Sequence, residues 1–274
     1  MSLIGLYAFE QRALFEVLLV SVGAGLLGTW IVLRGLAFYT HAVAAAAFPG
    51  LVLAAGLSFP PIAGAVGTGA VVAAGVGGLS ARRRASYDVA TALALVGALV
   101  VGVVLASNVF HSGSDVDSLL FGSLFALTDA DLVLGAVASV LALVATVVLG
   151  PRWLAIGFDA TGARAVGVRS RLPDLALLAL VGFASVATLA AVGALLATAL
   201  LVVPAATARL WTNRLVPWRC LSVLLVALEG LAGVWLSVRT NAPPGATIAA
   251  LGGGGFLLSV LANEIASRNG RENA

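Results

Sequence analysis

The sequence predicts an all-α, polytopic membrane protein of about eight or nine transmembrane helices, and three observations make that prediction. Hydrophobic residues are 61% of the 274, charged residues only 10%, and mean hydropathy is +1.10. Soluble domains average about 45–50% apolar and about 25% charged. Apolar runs close to the roughly 20 residues that a helix needs to cross a bilayer recur along the whole chain. The charges between the runs are lopsided: all 15 basic residues are arginine, and they gather in alternate breaks. One transmembrane domain is expected to cover residues 1–274.

The runs lie at 13–33, 36–57, 60–80, 88–109, 131–150, 173–191, 193–210, 218–238 and 246–266. They make nine helices, or eight if one pair is a broken or re-entrant element. One set of breaks is basic. It holds Arg34, then Arg82, Arg83 and Arg84, then Arg152, Arg164, Arg169 and Arg171, then Arg209, Arg214 and Arg219, and last Arg268 and Arg271. The other set reads Ser58-Phe59-Pro60-Pro61, 108–118, a tight turn at 190–193, and 240–245 with its Pro243-Pro244-Gly245 turn. Short cytoplasmic loops carry an excess of positive charge. The basic set is therefore cytoplasmic, leaving only Arg12 and Arg239 outside. Nine spans then put the N-terminus outside and the C-terminus in the cytoplasm. The first residues lack a basic region and a small-residue cleavage site, so the first helix is expected to be retained.

The run at 193–210 stands apart, because it carries Pro204, two alanines, Thr207 and then Arg209. A proline among small residues near the mouth of a membrane helix predicts a break whose freed carbonyls need new partners. A helix that stops there and presents basic residues to the cytosol suits a surface on which another protein pushes. The small-residue pairs Ala24/Gly28, Gly64/Thr68 and Gly193/Ala197 are candidate close-packing points between helices. Gly252, Gly253, Gly254 and Gly255 inside the last run permit close packing or a kink. No sequence repeat is evident.

Composition also excludes functions. Without lysine the chain has no P-loop of the form G-x-x-x-x-G-K-[ST], so any ATP-driven work needs another subunit. The single cysteine, Cys220, excludes an internal disulfide and a cysteine-cluster metal site. The pI near 9.7 reflects a few arginines over very few acids, and membrane orientation accounts for them without nucleic acid. Arginine-only usage with abundant Ala, Val and Gly suits a GC-rich bacterial genome, and hence a bacterial plasma membrane.

Three blocks resemble the permease subunit of the zinc/manganese-type ABC importers. Residues 28–50, GTWIVLRGLAFYTHAVAAAAFPG, look like the family's apolar helix, basic residue, and helix with an embedded histidine before a Pro-Gly pair. Phe158, Asp159, Ala163, Ala165 and Gly167 match a cytoplasmic signature in register. Gly193, Leu200, Pro204, Ala205, Ala206, Thr207, Ala208 and Arg209 match a third block, and Leu120-Phe121-Gly122 adds a weaker fourth. The resemblance implies an ABC importer permease fold. It implies two such subunits working with two cytoplasmic ATPase subunits and an extracytoplasmic solute-binding protein. No covalently bound cofactor is implied, and ATP is used by the partner subunit. Pro204, Thr207, Arg209 and Arg214 would form the element that couples to the ATPase.

In metal-carrying members of that family, a histidine pairs with an aspartate one turn earlier, an i, i+4 spacing that puts both on one helix face. Imidazole and carboxylate together suit zinc or manganese. Here the histidine is His41, the expected carboxylate position is Ala37, and Tyr39 and Thr40 offer weaker oxygens. His41 is either a ligand or gate, or a polar residue bonded to a neighbouring helix. Glu16 and Glu229 are intramembrane acids, expected to face protein or water, and are candidates for completing the site or for interface roles. His111, Asp115, Asp117, Asp129 and Asp131 make an acidic external segment. It either attracts a cation or a binding protein, or is a solvated loop with a helix cap at Asp117 or Ser118. A non-metal cargo on the same permease, an ion-coupled secondary carrier, and a non-transporting scaffold are the alternative readings. Secondary carriers place several ionisable groups or paired broken helices at the midplane, and this chain offers few.

Overall fold

The computed structural model describes residues 8–81, 87–109, 127–165, 167, 171–189, 193 and 197–272. The expectations for Arg82, Arg83, Arg84, His111, Asp115, Asp117, Ser118, Leu120-Phe121-Gly122 and Arg169 lie outside those residues. The described residues form ten α-helices: α1 Ala8–Arg34, α2 Ala37–Leu57, α3 Pro61–Ala81, α4 Tyr87–Val104, α5 Asp129–Phe158, α6 Ala160–Ala165, α7 Arg171–Ala187, α8 Ala197–Trp211, α9 Leu215–Thr240 and α10 Pro244–Glu272. A π-helical turn, Leu105–Val109, extends α4. Six helices are long and apolar enough to cross a membrane, and three shorter apolar ones, Pro61–Val76, Leu172–Ala187 and Ala197–Trp211, lie among them. Short α6 is the addition to the nine apolar runs.

Local chemistry sets the helix ends. Gly35, at φ +65, closes α1: its amide bonds to Val32 O and that of Leu36 to Ile31 O, so two residues turn the chain into α2. At the other end of α2, Ser58 is left-handed, and the Pro60-Pro61 pair opens α3 where a missing N–H costs nothing. Thr128 and Asp131 form a reciprocal capping box on α5. Asp129 and Asp131, read in sequence as part of an acidic mouth, therefore sit in the first turn of a helix. Asp129 is bonded there to Arg12 at 3.0 Å.

Helices α1 and α2 are the buried centre, and α4, α5, α9 and α10 turn broad apolar faces outward. Close approach at the centre needs glycine. A Cβ on Gly28 would overlap the carbonyl oxygen of Leu201, and Gly50 and Gly64 stand in the same relation to each other's carbonyls. Ala24/Gly28 and Gly64/Thr68 thus mark real interfaces; of the third pair, the Ala197 amide bonds to Gly193 O at 3.0 Å. Ends that share a side agree with alternating crossings: Arg12 with Asp129, Arg34 with Asp174 at 2.7 Å, and the Asn263 amide donating to Leu210 O at 2.7 Å.

One expectation for 193–210 is corrected. Pro204 does not break the helix; it is buried inside continuous α8. The carbonyl that loses its helical donor is Leu200 O, one turn earlier. Beside the proline, the Trp218 indole donates to Ala205 O at 2.7 Å and the Thr207 hydroxyl to Val203 O at 2.9 Å, the first of these tying α9 to α8. The discontinuity lies earlier, at Gly193 with φ +87. Helix α8 is described over Ala197–Trp211, and the Ala197 amide bonds back to Gly193 O at 3.0 Å. The tight turn expected at 190–193 lies outside the described residues apart from Gly193. Leu189 packs beside Ala47 and Leu51, and Thr198 lies beside His41, nearer the start of α2.

Candidate functional site

His41 lies in the first turns of α2 and is half-buried. Its Nδ1 shares a 3.2 Å hydrogen bond with the Thr198 hydroxyl, one residue into α8. The two-residue turn at Gly35 sets the start of α2, and with it His41, beside Thr198. Tyr39, wholly buried, fixes the same stretch of α2 by donating to Leu178 O of α7 at 3.1 Å. Thr40 turns its hydroxyl back to Leu36 O at 2.9 Å, which leaves it no free proton to offer His41. The apolar Ala37 is the first residue of α2. Among the described residues no three His, Cys, Asp or Glu side chains converge as a metal site. One imidazole and one hydroxyl are therefore what this chain brings to the centre.

Neither intramembrane glutamate joins His41. Glu16 sits near the end of α1 that carries Arg12, is 1% exposed, and leaves both carboxyl oxygens without a hydrogen-bond partner. It fills a notch at Gly135 of α5, where a Cβ would stand 2.5 Å from Oε1. Glu229 borders a small void with Ala199, Leu200 and Val203 of α8 and Gly252 of α10, on the face of α8 turned away from Thr198. A Cβ on Gly252 would lie 2.8 Å from Glu229 Oε2, which accounts for the first glycine of the run of four.

The cytoplasmic candidates separate by exposure. Pro204 is buried and Thr207 is 3% exposed, so both face the interior. Arg209 and Arg214 are exposed; the Arg209 guanidinium stacks 4.9 Å over Trp218 and bonds to Thr212 O at 3.3 Å. Phe158 is 82% exposed at the end of α5, followed by the exposed Asp159, short α6, and Gly167 at φ +84. Ala163 is the anchor of α6, buried beneath it.

A third group escaped sequence reading. Arg34, read in sequence for topology and as the basic residue of the 28–50 block, bonds to Asp174 Oδ1 at 2.7 Å and to Trp153 O at 3.4 Å. The Trp153 indole donates to Pro173 O at 2.7 Å and meets Trp30 edge-on at 5.3 Å, while Arg219 stacks on Trp30 at 4.7 Å. Five aromatic and charged side chains from four helices meet there. The only signal in the sequence was a tryptophan near three of the basic breaks: Trp30 by Arg34, Trp153 by Arg152, and Trp218 by Arg219.

Comparisons with known proteins agree with this architecture. Residues 6–263 match the ABC 3 transport family. The manganese transport system membrane protein MntC of Halalkalibacterium halodurans is 32% identical over 242 residues, 88% of this chain and 83% of that one. The manganese import system permease protein ScaB of Streptococcus parasanguinis is 29% identical over 253 residues, 92% of this chain and 90% of that one. PsaBC from Streptococcus pneumoniae, solved in complex with Fab, superposes with a TM-score of 0.82 at 28% identity, covering 92% of this chain and 91% of that chain.

Proposed function

The chain belongs to the ABC 3 transport family, and on that footing we propose that it is the permease of an importer carrying a divalent transition metal, manganese before zinc, into the bacterial cytoplasm. The observation that carries the reading is His41 of α2 bonded to Thr198 of α8 inside the bundle. The names of the relatives at about 30% identity weigh toward manganese. A lone imidazole and a hydroxyl are too few donors for a transition metal, so a second copy of the chain supplies the rest of the coordination sphere. The metal is cargo, which favours such a sparse set: binding must be weak enough for release.

A solute-binding protein delivers the metal from outside, and a cytoplasmic ATPase supplies the energy. The surface offered to that ATPase combines Phe158, Asp159, α6 and Gly167 with Arg209 and Arg214. ATP binding shifts the permease between outward and inward states only through contacts that differ between them. The buried Pro204 and Thr207 serve by keeping α8 rigid behind Arg209.

The test is uptake of radiolabelled manganese and zinc in cells expressing the chain with its ATPase and binding protein, wild type against His41→Ala. ATP-dependent manganese uptake that vanishes in His41→Ala, with the complex still assembled, is the expected result. A well-assembled, ATP-hydrolysing complex that takes up neither metal would mean that the cargo is something else.

A further inference from the structure

The end of α5 is tied on two sides. Its Trp153 carbonyl accepts from Arg34, the last residue of α1, and its indole donates to Pro173 O in the first turn of α7. Arg34 closes the triangle by bonding to Asp174 of the same turn. The bond is charge-assisted and both side chains are largely covered, at 18% and 34% exposure, so it is a stronger link than a solvated surface pair. Trp153 is wholly buried against Trp30 of α1, whose own indole donates to Thr146 of α5 at 3.2 Å.

What lies on either side of this triangle gives it a role. One turn beyond Trp153, α5 ends at the exposed Phe158 and α6. Immediately beyond Arg34, the chain turns at Gly35 and enters α2, where His41 stands. Tyr39 ties that stretch of α2 to α7 a second time. A cavity of about 400 Å³ lined by Arg34, Gly35, Asp88, Asp174 and Leu178 borders the triangle, leaving the joined ends room to shift together.

We infer that Arg34, Asp174 and Trp153 are positioning residues, a joint that passes movement of the ATPase-facing end of α5 to the His41-bearing helix α2. The inference rests on the permease reading above. Packed helices with bonded ends move as units, so a push on Phe158 and α6 reaches α2 through two short links rather than through the bilayer. Coupling of this kind is demonstrated by energetic linkage between the residues, which a charge exchange measures directly.

The experiment uses the full complex with its ATPase in proteoliposomes and measures manganese moved per ATP hydrolysed. Asp174→Asn and Arg34→Gln are expected to lower that ratio about fivefold or more, the usual floor for an allosteric coupling, with ATPase binding and ATP hydrolysis retained. The exchanged pair, Arg34→Asp with Asp174→Arg, is expected to recover much of it, and Arg34→Lys to fall between. A merely structural bond would lower assembly, hydrolysis and uptake in parallel and leave the ratio unchanged; that result overturns the joint. So does an unchanged ratio in well-assembled Asp174→Asn, or a low ratio that neither the exchanged pair nor Arg34→Lys improves. The wild-type complex assayed alongside separates the two readings: no ATPase binding there overturns both, whereas an unaltered ratio in the variants overturns only the joint.

Discussion

Replacing Gly28 by alanine tests the closest contact at the centre of the bundle. A Cβ there would overlap the backbone oxygen of Leu201 and stand 2.9 Å from the Cβ of Ala205. Carbon atoms prefer about 3.5–4.0 Å, so that second contact alone is short by about 0.6 Å or more. The first obstacle is main chain within a helix and cannot rotate away; α1 and α8 must separate. Overpacking of this kind costs about 1–3 kcal/mol. At about 2 kcal/mol, the melting temperature of a chain this size falls by about 4–8 °C. Separation would also draw Thr198 from His41, so uptake falls with stability. Gly254→Ala is the control, because nothing lies within 4 Å of a Cβ there. It should melt with wild type or slightly above it, since alanine favours helix by up to about 1 kcal/mol over glycine. Thermal unfolding of the purified proteins in one detergent compares the three. If Gly28→Ala melts together with Gly254→Ala, the close α1–α8 approach and every distance argued from it are wrong.

Two further outcomes follow from the same geometry. Glu16→Gln keeps the shape that fills the notch at Gly135 while removing any charge, and an unpaired buried charge costs several kcal/mol. The variant should assemble, melt within about 2 °C of wild type or above it, and transport metal; loss of uptake with assembly intact would show that the carboxylate itself is needed. Thr128→Ala removes half of the capping box on α5, costing about 1 kcal/mol, or about 2–4 °C in melting temperature. A variant that melts with wild type would mean that this end of α5 is held by something else.

Much of the fold was legible because a bilayer punishes exposed backbone and unpaired charge, so spans and sides are written into composition. The nine apolar runs match nine of the helices closely at most boundaries, and the arginine breaks fall at ends the contacts place together. The site was legible in part. His41 stood out as an ionisable residue in a span, but its partner Thr198 lies 157 residues away on another helix. Pro204 misled because the rule for proline is local: the missing N–H is real, but Pro204 is buried among packed helices and the Trp218 indole of α9 is bonded to Ala205 O beside it, so α8 stays continuous. The turn at Gly193, by contrast, was read correctly: the sequence ended one apolar run at 191 and began the next at 193, and Gly193 is left-handed at φ +87.

Glu16 and Glu229 show where sequence stops. Both were candidates for the same centre as His41, and nothing in their spacing could separate them. Their partners proved to be glycines, Gly135 and Gly252, whose role is to be absent side chains. Class and the positions of the apolar spans were legible in the sequence alone, because each depends on how a segment interacts with lipid and water. The neighbours of each side chain were decided by the tertiary structure: Thr198 for His41, Asp174 for Arg34, Gly135 for Glu16. Those pairings come from the rotation and depth of whole helices packed against one another, quantities to which every residue of both helices contributes.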